Sequence, residues 1–149
     1  MALADLIQPE VVKVPLTGKT KNEVIRELAQ VLLDAGRIPA LEAVVDALLT
    51  REALGSTGLE MGIAVPHAKT AAVRQLTAAI GIAPQGVDFQ SADGQPSKLF
   101  FLLLAPPDQS GPHIPALAEI ARLAKSPTFL RLLAGASSAQ EVADLIREG

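Results

Sequence analysis

The 149-residue chain has no cysteine, no tryptophan and no tyrosine, and only four phenylalanines. The absence of cysteine excludes disulfides, thiol nucleophiles and cysteine-ligated zinc or iron–sulfur sites. With 3% aromatic residues, the stacking of bases on aromatic side chains has almost nothing to work with. The hydrophobic fraction is nonetheless 49%. The core must therefore be aliphatic.

The chain also lacks a concentration of charge of one sign and a long apolar run. Its 13 basic residues are dispersed and the net charge is −3, so there is no basic stripe of the kind that binds nucleic acid. The start, MALADLIQPE, has no basic region followed by an apolar one, as an export signal would. The longest apolar run, LFFLLLA, is too short to cross a bilayer. We expect one cytoplasmic domain over residues 1–149, not embedded in a membrane.

Two helices are predicted in the first third of the chain. Thr20 and Glu23 form a capping box ahead of a segment with helical apolar spacing, which predicts a helix over Lys21–Ala35. A second helix is predicted to begin at Ile38-Pro39 and to end near Leu54, just before Gly55.

Three helices are predicted in the last quarter. The first begins near His113, and the second is short and has Pro127 as its first residue after an N-cap serine. The last begins at the capping box Ser138-x-x-Glu141 and ends near Arg147.

Apolar segments of strand length lie between these two groups of helices. IAVPH reads as a short strand that Pro66 ends or leaves at an edge, whereas LTAAIGIA and SKLFFLLLA are continuous runs typical of strands covered on both faces. The first connection is short and the second is not helical, so parallel and antiparallel pairs are both expected. The predicted fold class is α/β, with a mixed β-sheet sandwiched between helices.

His67 is the leading candidate for a chemical role. It is one of only two histidines and directly follows Pro66 in the segment REALGSTGLEMGIAVPHAKT. Because proline restricts the backbone, the imidazole is held in one direction. A lone histidine at the end of a strand is more often a satisfied structural or surface residue, so spacing alone does not establish the chemical role.

The segment before His67 is suited to an anion. Its glycines allow a tight loop whose N–H groups can form an anion-binding concavity, and Ser56 and Thr57 add hydroxyl donors. Arg51 can present a planar fork to phosphate or carboxylate oxygens. The alternatives are a plain tight turn, and an arginine that complements the dipole of its helix.

His113 is the second candidate, either as a solvated residue of a first helical turn or as a partner of His67 in space. The two histidines match no zinc spacing, and the aspartates at 88, 93 and 108 lie in turn sequences, where aspartate is expected anyway. We therefore expect no metal site. Motifs of serine hydrolases, phosphate-binding loops and dinucleotide-binding folds are absent.

The segment REALGSTGLEMGIAVPHAKT resembles the active-site region of the fructose/mannitol-type IIA domains of the bacterial phosphoenolpyruvate-dependent sugar phosphotransferase system, a family that includes nitrogen-regulatory IIA proteins. The likeness covers almost the whole chain in order: KNEVIRELAQVLLDAGRI resembles the first helix of the family, GVDFQSADGQPSKLFFLLLAP its central strands, and HIPALAEIARLAKSPTFLRLLAGASSAQEVADLI its C-terminal helices. One departure is Ala68, where many members have glycine.

The resemblance implies roles for particular residues. His67 corresponds to the phosphorylated histidine, Arg51 to an arginine beside the phosphoryl group, and His113 to a second active-site histidine. Thr57 corresponds to a position in the adjacent loop, and Ser56 is its neighbour and a further candidate for phosphate binding. No cofactor is implied.

The resemblance also implies a phosphotransferase function. A histidine-containing phosphocarrier protein would donate a phosphoryl group to His67, and a cysteine of a IIB domain would receive it for sugar uptake. Alternatively, the chain is a stand-alone regulator that controls other proteins by its phosphorylation state. A hydrolase that uses His67 and His113 as an acid–base pair is a third possibility.

Overall fold

The structure is a computed structural model in which residues 3–108 and 113–148 are described. The N-terminal part comprises helix α1 (Leu3–Leu6), a 3-10 turn (Pro9–Val11), strand β1 (Val12–Lys13), and helices α2 (Lys21–Asp34) and α3 (Glu42–Ala53). Four strands follow: β2 (Ile63–Ala64), β3 (His67–Lys69), β4 (Thr77–Val87) and β5 (Ser97–Ala105). The C-terminal helices are α4 (His113–Leu123), α5 (Pro127–Ala134) and α6 (Ala139–Glu148).

The capping predictions can be compared with individual hydrogen bonds. At α2 the Thr20 side chain accepts from the backbone of Glu23, and the Glu23 carboxylate accepts from the backbone of Thr20, as the capping box predicts. At α6 only half of the predicted box forms. The Ser138 hydroxyl accepts from the Glu141 backbone, but the Glu141 carboxylate accepts from the backbone of Ser137 instead of Ser138.

Helix α3 begins later than the sequence predicts. The predicted start at Ile38-Pro39 is wrong, because the chain turns there and the first helical residue is Glu42. The turn lets Ile38 reach the core, where it is 4% exposed. The hydrogen bond from Val45 to the carbonyl of Leu41 then closes the first helical turn.

The sheet is mixed, as predicted, with the strand order β1-β4-β5-β2 and with β3 also paired to β5. Strands β4 and β5 are antiparallel, whereas β1 pairs with β4, and β2 and β3 pair with β5, in parallel. Strand β5 has the predicted bounds and is buried at every position except Lys98. Since successive side chains point to opposite faces, both faces of β5 are covered.

Pro66 lies between two short strands at the edge of the described sheet, which agrees with the second of the two readings of IAVPH. Residues before and after it, in β2 and β3, pair with the same neighbouring strand β5. Proline has no N–H for the ladder, but the Pro66 carbonyl still accepts from the N–H of Leu103 at 3.0 Å. His67 therefore begins a strand whose direction is fixed by its pairing with β5.

Candidate active site

His67 lies at the first position of β3, opposite Leu103 of β5, and its side chain is half-buried. Its Nδ1 atom is 2.7 Å from the backbone carbonyl of Val65. A carbonyl can only accept, so Nδ1 carries the proton of this bond, and in the neutral ring the lone pair lies on Nε2. The fold therefore fixes both the tautomer and the orientation of the imidazole.

A cleft of about 500 Å³ lies beside His67 and is called the His67 cleft below. One wall is formed by α3 and its C-terminal end, and the other by β3. Its lining residues are Ala47, Thr50, Arg51, Leu54, His67, Ala68 and Lys69. The structure thus brings together Arg51 and His67, which are sixteen positions apart in the sequence.

Arg51 is held at the end of α3 by a hydrogen bond from its Nη1 atom to the carbonyl of Gly55, 2.8 Å away. This contact satisfies a carbonyl just beyond the helix and restrains the guanidinium at the rim of the His67 cleft. A guanidinium carries five N–H donors in a fixed plane. Arg51 can therefore support the turn after the helix and also present N–H groups to an anion in the cleft.

Lys69 is a second cation in the His67 cleft that the sequence reasoning missed. It lies two residues after His67 in the same strand, and residues at that spacing share one face of a strand. The two-residue spacing from His67 is the feature of the sequence that identifies Lys69 as a candidate. With Arg51, Lys69 makes the cleft a site of positive charge next to a histidine.

The loop that joins α3 to β2 is fixed by its own polar groups. The Ser56 hydroxyl donates to the carbonyl of Phe89 at 2.6 Å and accepts from the N–H of Gly58 at 3.0 Å. The Thr57 side chain is buried, and its hydroxyl donates to the carboxylate of Glu52. Both hydroxyls therefore serve the loop, and direct binding of phosphate by Ser56 and Thr57 stays a prediction.

Gly58 allows the loop to approach the segment after β4. A Cβ atom at this position would lie 2.9 Å from the carbonyl oxygen of Phe89 and 2.9 Å from the Cα of Ser91. These neighbours are backbone atoms, which cannot turn aside as a flexible side chain could. The glycine is thus required for close packing, as the glycine-rich sequence predicts.

Two further residues of the site were missed. The Glu52 carboxylate follows Arg51 in the chain but is buried, with a side chain 5% exposed, and it forms an ion pair with Lys21 at 2.9 Å. Lys21 is the first residue of α2, 31 positions earlier. No short-range pattern in the sequence joins two such positions, so only the fold identifies this pair.

The remaining predictions concern His113 and Ala68. The backbone of His113 begins α4, as predicted, but its side chain falls outside the described residues, so the predicted meeting with His67 stays a prediction. Ala68 lies within β3 and is 6% exposed. An extended strand accepts alanine without strain, so the departure from glycine leaves the backbone at His67 regular.

Large apolar side chains are exposed near the loop and at the rim of the His67 cleft. Leu54 at the rim is 83% exposed, and Met61 and Leu59 in the loop are 52% and 44% exposed. Within residues 3–108 and 113–148, no helix combines the length and apolar character needed to cross a bilayer. The same residues contain no cluster of three or more imidazole or carboxylate groups that could hold a metal ion.

The sequence matches the family model described as "Phosphoenolpyruvate-dependent sugar phosphotransferase system, EIIA 2" over residues 5–149. The chain belongs to this family. The EIIA family membership agrees with the resemblance seen in the active-site segment, and it makes the chain a phosphotransfer component of that system.

Relatives of this EIIA chain fall into two groups by name. The chain is 37% identical to the "PTS system fructose-specific EIIA component" of Haloferax volcanii, over 87% of this chain and 84% of the relative. It is 35% identical to the "Nitrogen regulatory protein" of Bradyrhizobium diazoefficiens, over 95% of this chain and 92% of the relative. It is also 35% identical to the "PTS system fructose-specific EIIABC component" of Bacillus subtilis, of which it spans 23%.

Solved structures share the fold of this EIIA chain. The nitrogen regulatory protein IIA-Ntr from Neisseria meningitidis has a TM-score of 0.83 and 29% identity, covering 97% of this chain and 98% of that one. The IIA mannitol enzyme of Escherichia coli, in complex with the phosphorylated IIB mannitol enzyme, has a TM-score of 0.80 and 25% identity, covering 96% and 98%. The mixed sheet with flanking helices is therefore the fold of IIA proteins of this family.

Proposed function

We propose that the protein is a phosphocarrier in which His67 accepts a phosphoryl group and passes it on. The observation that carries the proposal is the hydrogen bond from Nδ1 of His67 to the carbonyl of Val65, which leaves the lone pair on Nε2. A nitrogen nucleophile in a fixed orientation beside a positive cleft is suited to phosphoryl transfer, since that reaction depends chiefly on positioning and on stabilising charge.

The donor in this proposal is a histidine-containing phosphocarrier protein. The Nε2 lone pair of His67 forms the new N–P bond in line with the breaking N–P bond, whose electron pair returns to the ring nitrogen of the donor. The proton on Nδ1 stays in its hydrogen bond to Val65, so no net proton transfer is required. The phosphoryl group ends as phosphohistidine at His67.

Cations of the His67 cleft have a distinct role in this scheme. Arg51 and Lys69 line the cleft and would hold the equatorial oxygens of the transferred group. We propose His113 as a further hydrogen-bond donor to the phosphoryl group. The loop that contains Ser56 and Thr57 is proposed to bind the same group through its N–H groups or hydroxyls. All of these groups stabilise negative charge, and none of them needs a cofactor.

The acceptor is proposed to be a IIB domain, with sugar uptake as the process served. Support comes from the fructose-specific EIIA relative and from the IIA mannitol enzyme solved with phosphorylated IIB mannitol enzyme. A regulatory role is the second candidate, supported by the nitrogen regulatory relatives. In that role the phosphorylation state of His67 would control the binding of other proteins, and in both roles we propose that the chain acts in the cytoplasm.

The test is phosphorylation by the phosphoenolpyruvate-dependent relay proteins with radiolabelled phosphoenolpyruvate. We expect an acid-labile, base-stable label on the wild-type protein and none on His67→Gln. Addition of a fructose-type IIB domain then separates the two roles, since discharge of the label supports transport. Label retained with the IIB domain, together with a partner that binds only one phosphorylation state, supports regulation. Turnover of a small substrate without a donor protein would instead support a hydrolase.

A further inference from the structure

A buried carboxylate lies next to the proposed site without lining the His67 cleft. The Glu52 side chain is 5% exposed, and both of its oxygens are bonded. Oε2 accepts from Nζ of Lys21 at 2.9 Å and from the N–H of Thr57 at 3.3 Å, and Oε1 accepts from the hydroxyl of Thr57. A carboxylate is rarely buried unless it is paired, and here a cation and two loop donors compensate it.

Lys21 is itself held in place. Its side chain is 16% exposed, and its Nζ atom lies 3.1 Å from Oε1 of Gln90 and 4.8 Å from the centre of the Phe89 ring. Glu52 is therefore tied, through Lys21, to the start of α2 and to the segment that follows β4. Hydrogen bonds to both oxygens restrain the carboxylate, and two of them come from Thr57.

From Thr57 a short series of hydrogen bonds leads to the imidazole. The carbonyl of Thr57 accepts from the N–H of Val65 at 3.0 Å, and the carbonyl of Val65 accepts from Nδ1 of His67 at 2.7 Å. Between Val65 and His67 stands only Pro66, whose ring stiffens the backbone. The position of the carbonyl that selects the His67 tautomer thus depends on Thr57, and Thr57 depends on Glu52.

We propose that Glu52 is a positioning residue for the reaction at His67, acting through Thr57 and the Val65 carbonyl to keep the proton on Nδ1. The inference rests on the proposed function for its kinetic consequence. Stability alone is a weak reason for the arrangement, because apolar residues of similar size commonly replace a buried ion pair without loss of stability. Glu52 is not a general base, because it is turned away from the cleft and bonded to the loop.

The test compares Glu52→Gln with Glu42→Gln. Both residues lie on α3 and both changes remove one negative charge, but the Glu42 side chain is 69% exposed and pairs only with a surface arginine, Arg26, among its described contacts. In Glu52→Gln, the side-chain amide puts an N–H group at a position where a carboxylate oxygen of the wild-type protein accepts a hydrogen bond. Ring ¹⁵N shifts report the tautomer of His67, which is assigned by His67→Gln because the chain has two histidines.

We expect Nδ1–H to be the neutral form in the wild-type protein and in Glu42→Gln, and the Nδ1–H fraction to fall in Glu52→Gln. Removal of a group that orients a metal-bound histidine typically costs 10- to 100-fold; by analogy, we expect phosphoryl acceptance by Glu52→Gln to slow by about tenfold. Thr57→Val removes the hydroxyl that donates to Glu52, and so it interrupts the same series of hydrogen bonds. The double variant should lose no more than the worse single variant, because the two residues act in one path.

A folded Glu52→Gln protein with the wild-type tautomer and the wild-type rate would overturn the proposal. If Glu52→Gln does not fold, Thr57→Val is judged by the same two measurements. Failure of the proposed function has a different signature: the wild-type protein would accept no phosphoryl group, while the ring shifts would still show whether Glu52 controls the tautomer.

Discussion

The Nδ1 atom of His67 lies 2.7 Å from the carbonyl of Val65, two residues earlier in the chain. Pro66 stands between them, and its own carbonyl is bonded to the N–H of Leu103 in β5. A backbone carbonyl of the short segment that joins β2 to β3 therefore orients the imidazole. An orientation of this kind needs no rearrangement when a partner arrives, which favours fast transfer between proteins.

Arg51 should contribute to phosphoryl transfer through its fork geometry and not only through its charge. Arg51→Lys keeps the charge but cannot both reach the Gly55 carbonyl and hold oxygens in the plane of a guanidinium. We expect phosphoryl acceptance to fall about 100-fold, the usual loss when one donor to a developing charge is removed. The measurement is the rate of labelling by the relay proteins, with the exposed Arg131→Lys as the control. Equal rates for both variants would show that the guanidinium of Arg51 does not contribute to phosphoryl transfer.

Leu54 should contribute to docking, because it is 83% exposed at the rim of the His67 cleft. A partner that covers the cleft would bury it, and burial of a leucine side chain contributes about 1.5–3 kcal/mol. We expect Leu54→Glu to raise the KM for the phosphorylated donor protein at least tenfold while the free energy of unfolding stays close to wild type. The matched control is Leu132→Glu on α5, also exposed, at 53%. The same KM in both variants would place docking elsewhere.

Gly58 should be required for the stability of the loop. A Cβ atom here would meet the backbone around Phe89 and Ser91 at 2.9 Å, and overpacking of this kind typically costs 1–3 kcal/mol. We expect Gly58→Ala to lower the free energy of unfolding in urea by about that amount. Gly135→Ala is the control, because its nearest neighbour atom would be 3.3 Å away. Losses of equal size would show that the close approach at Gly58 is not what matters.

Glu27 should make stability depend on pH in the acid range. Burial raises the pKa of its carboxyl, but Lys13 at 2.8 Å and the N–H groups of Thr17 and Gly18 outweigh that effect, so the pKa is lowered on folding. A lowered pKa means that the unfolded chain binds the proton more readily than the folded one. The stabilisation is therefore complete above the unfolded pKa, about 4.3, and is lost as the pH falls through the folded pKa.

The check is the pH dependence of urea unfolding for the wild-type protein and Glu27→Gln. The wild-type free energy of unfolding should fall more steeply below about pH 4.5 than that of the variant, and the two curves should run parallel at neutral pH. Parallel curves throughout the acid range would mean that the Glu27 contacts do not favour its charged form.

Local patterns predicted the parts of the fold that are set locally. The capping box at Thr20 and the bounds of β5 follow from neighbouring residues, and both are confirmed. Strand β1 was not predicted, because its two residues are extended only through pairing with Ile80 and Gly81 of β4. The pairing of short segments over 60 positions leaves no periodic signal in the sequence.

The same distinction applies to the candidate site. His67, Arg51 and the glycine-rich loop were found because they lie within one segment, and the structure places His67 and Arg51 on one cleft. Lys69 could have been found from its spacing to His67 along a strand. The pair of Lys21 and Glu52 could not, since only the packing of α2 against α3 brings these side chains together.

The central claim is that Nε2 of His67 carries the phosphoryl group. It is tested most directly by ³¹P and ¹⁵N NMR of protein labelled at its histidines and phosphorylated by the relay proteins. We predict one phosphohistidine, at residue 67, with phosphorus bonded to Nε2 and the proton still on Nδ1. Phosphorus on Nδ1 of His67, on His113, or on no histidine of a folded protein would contradict the account.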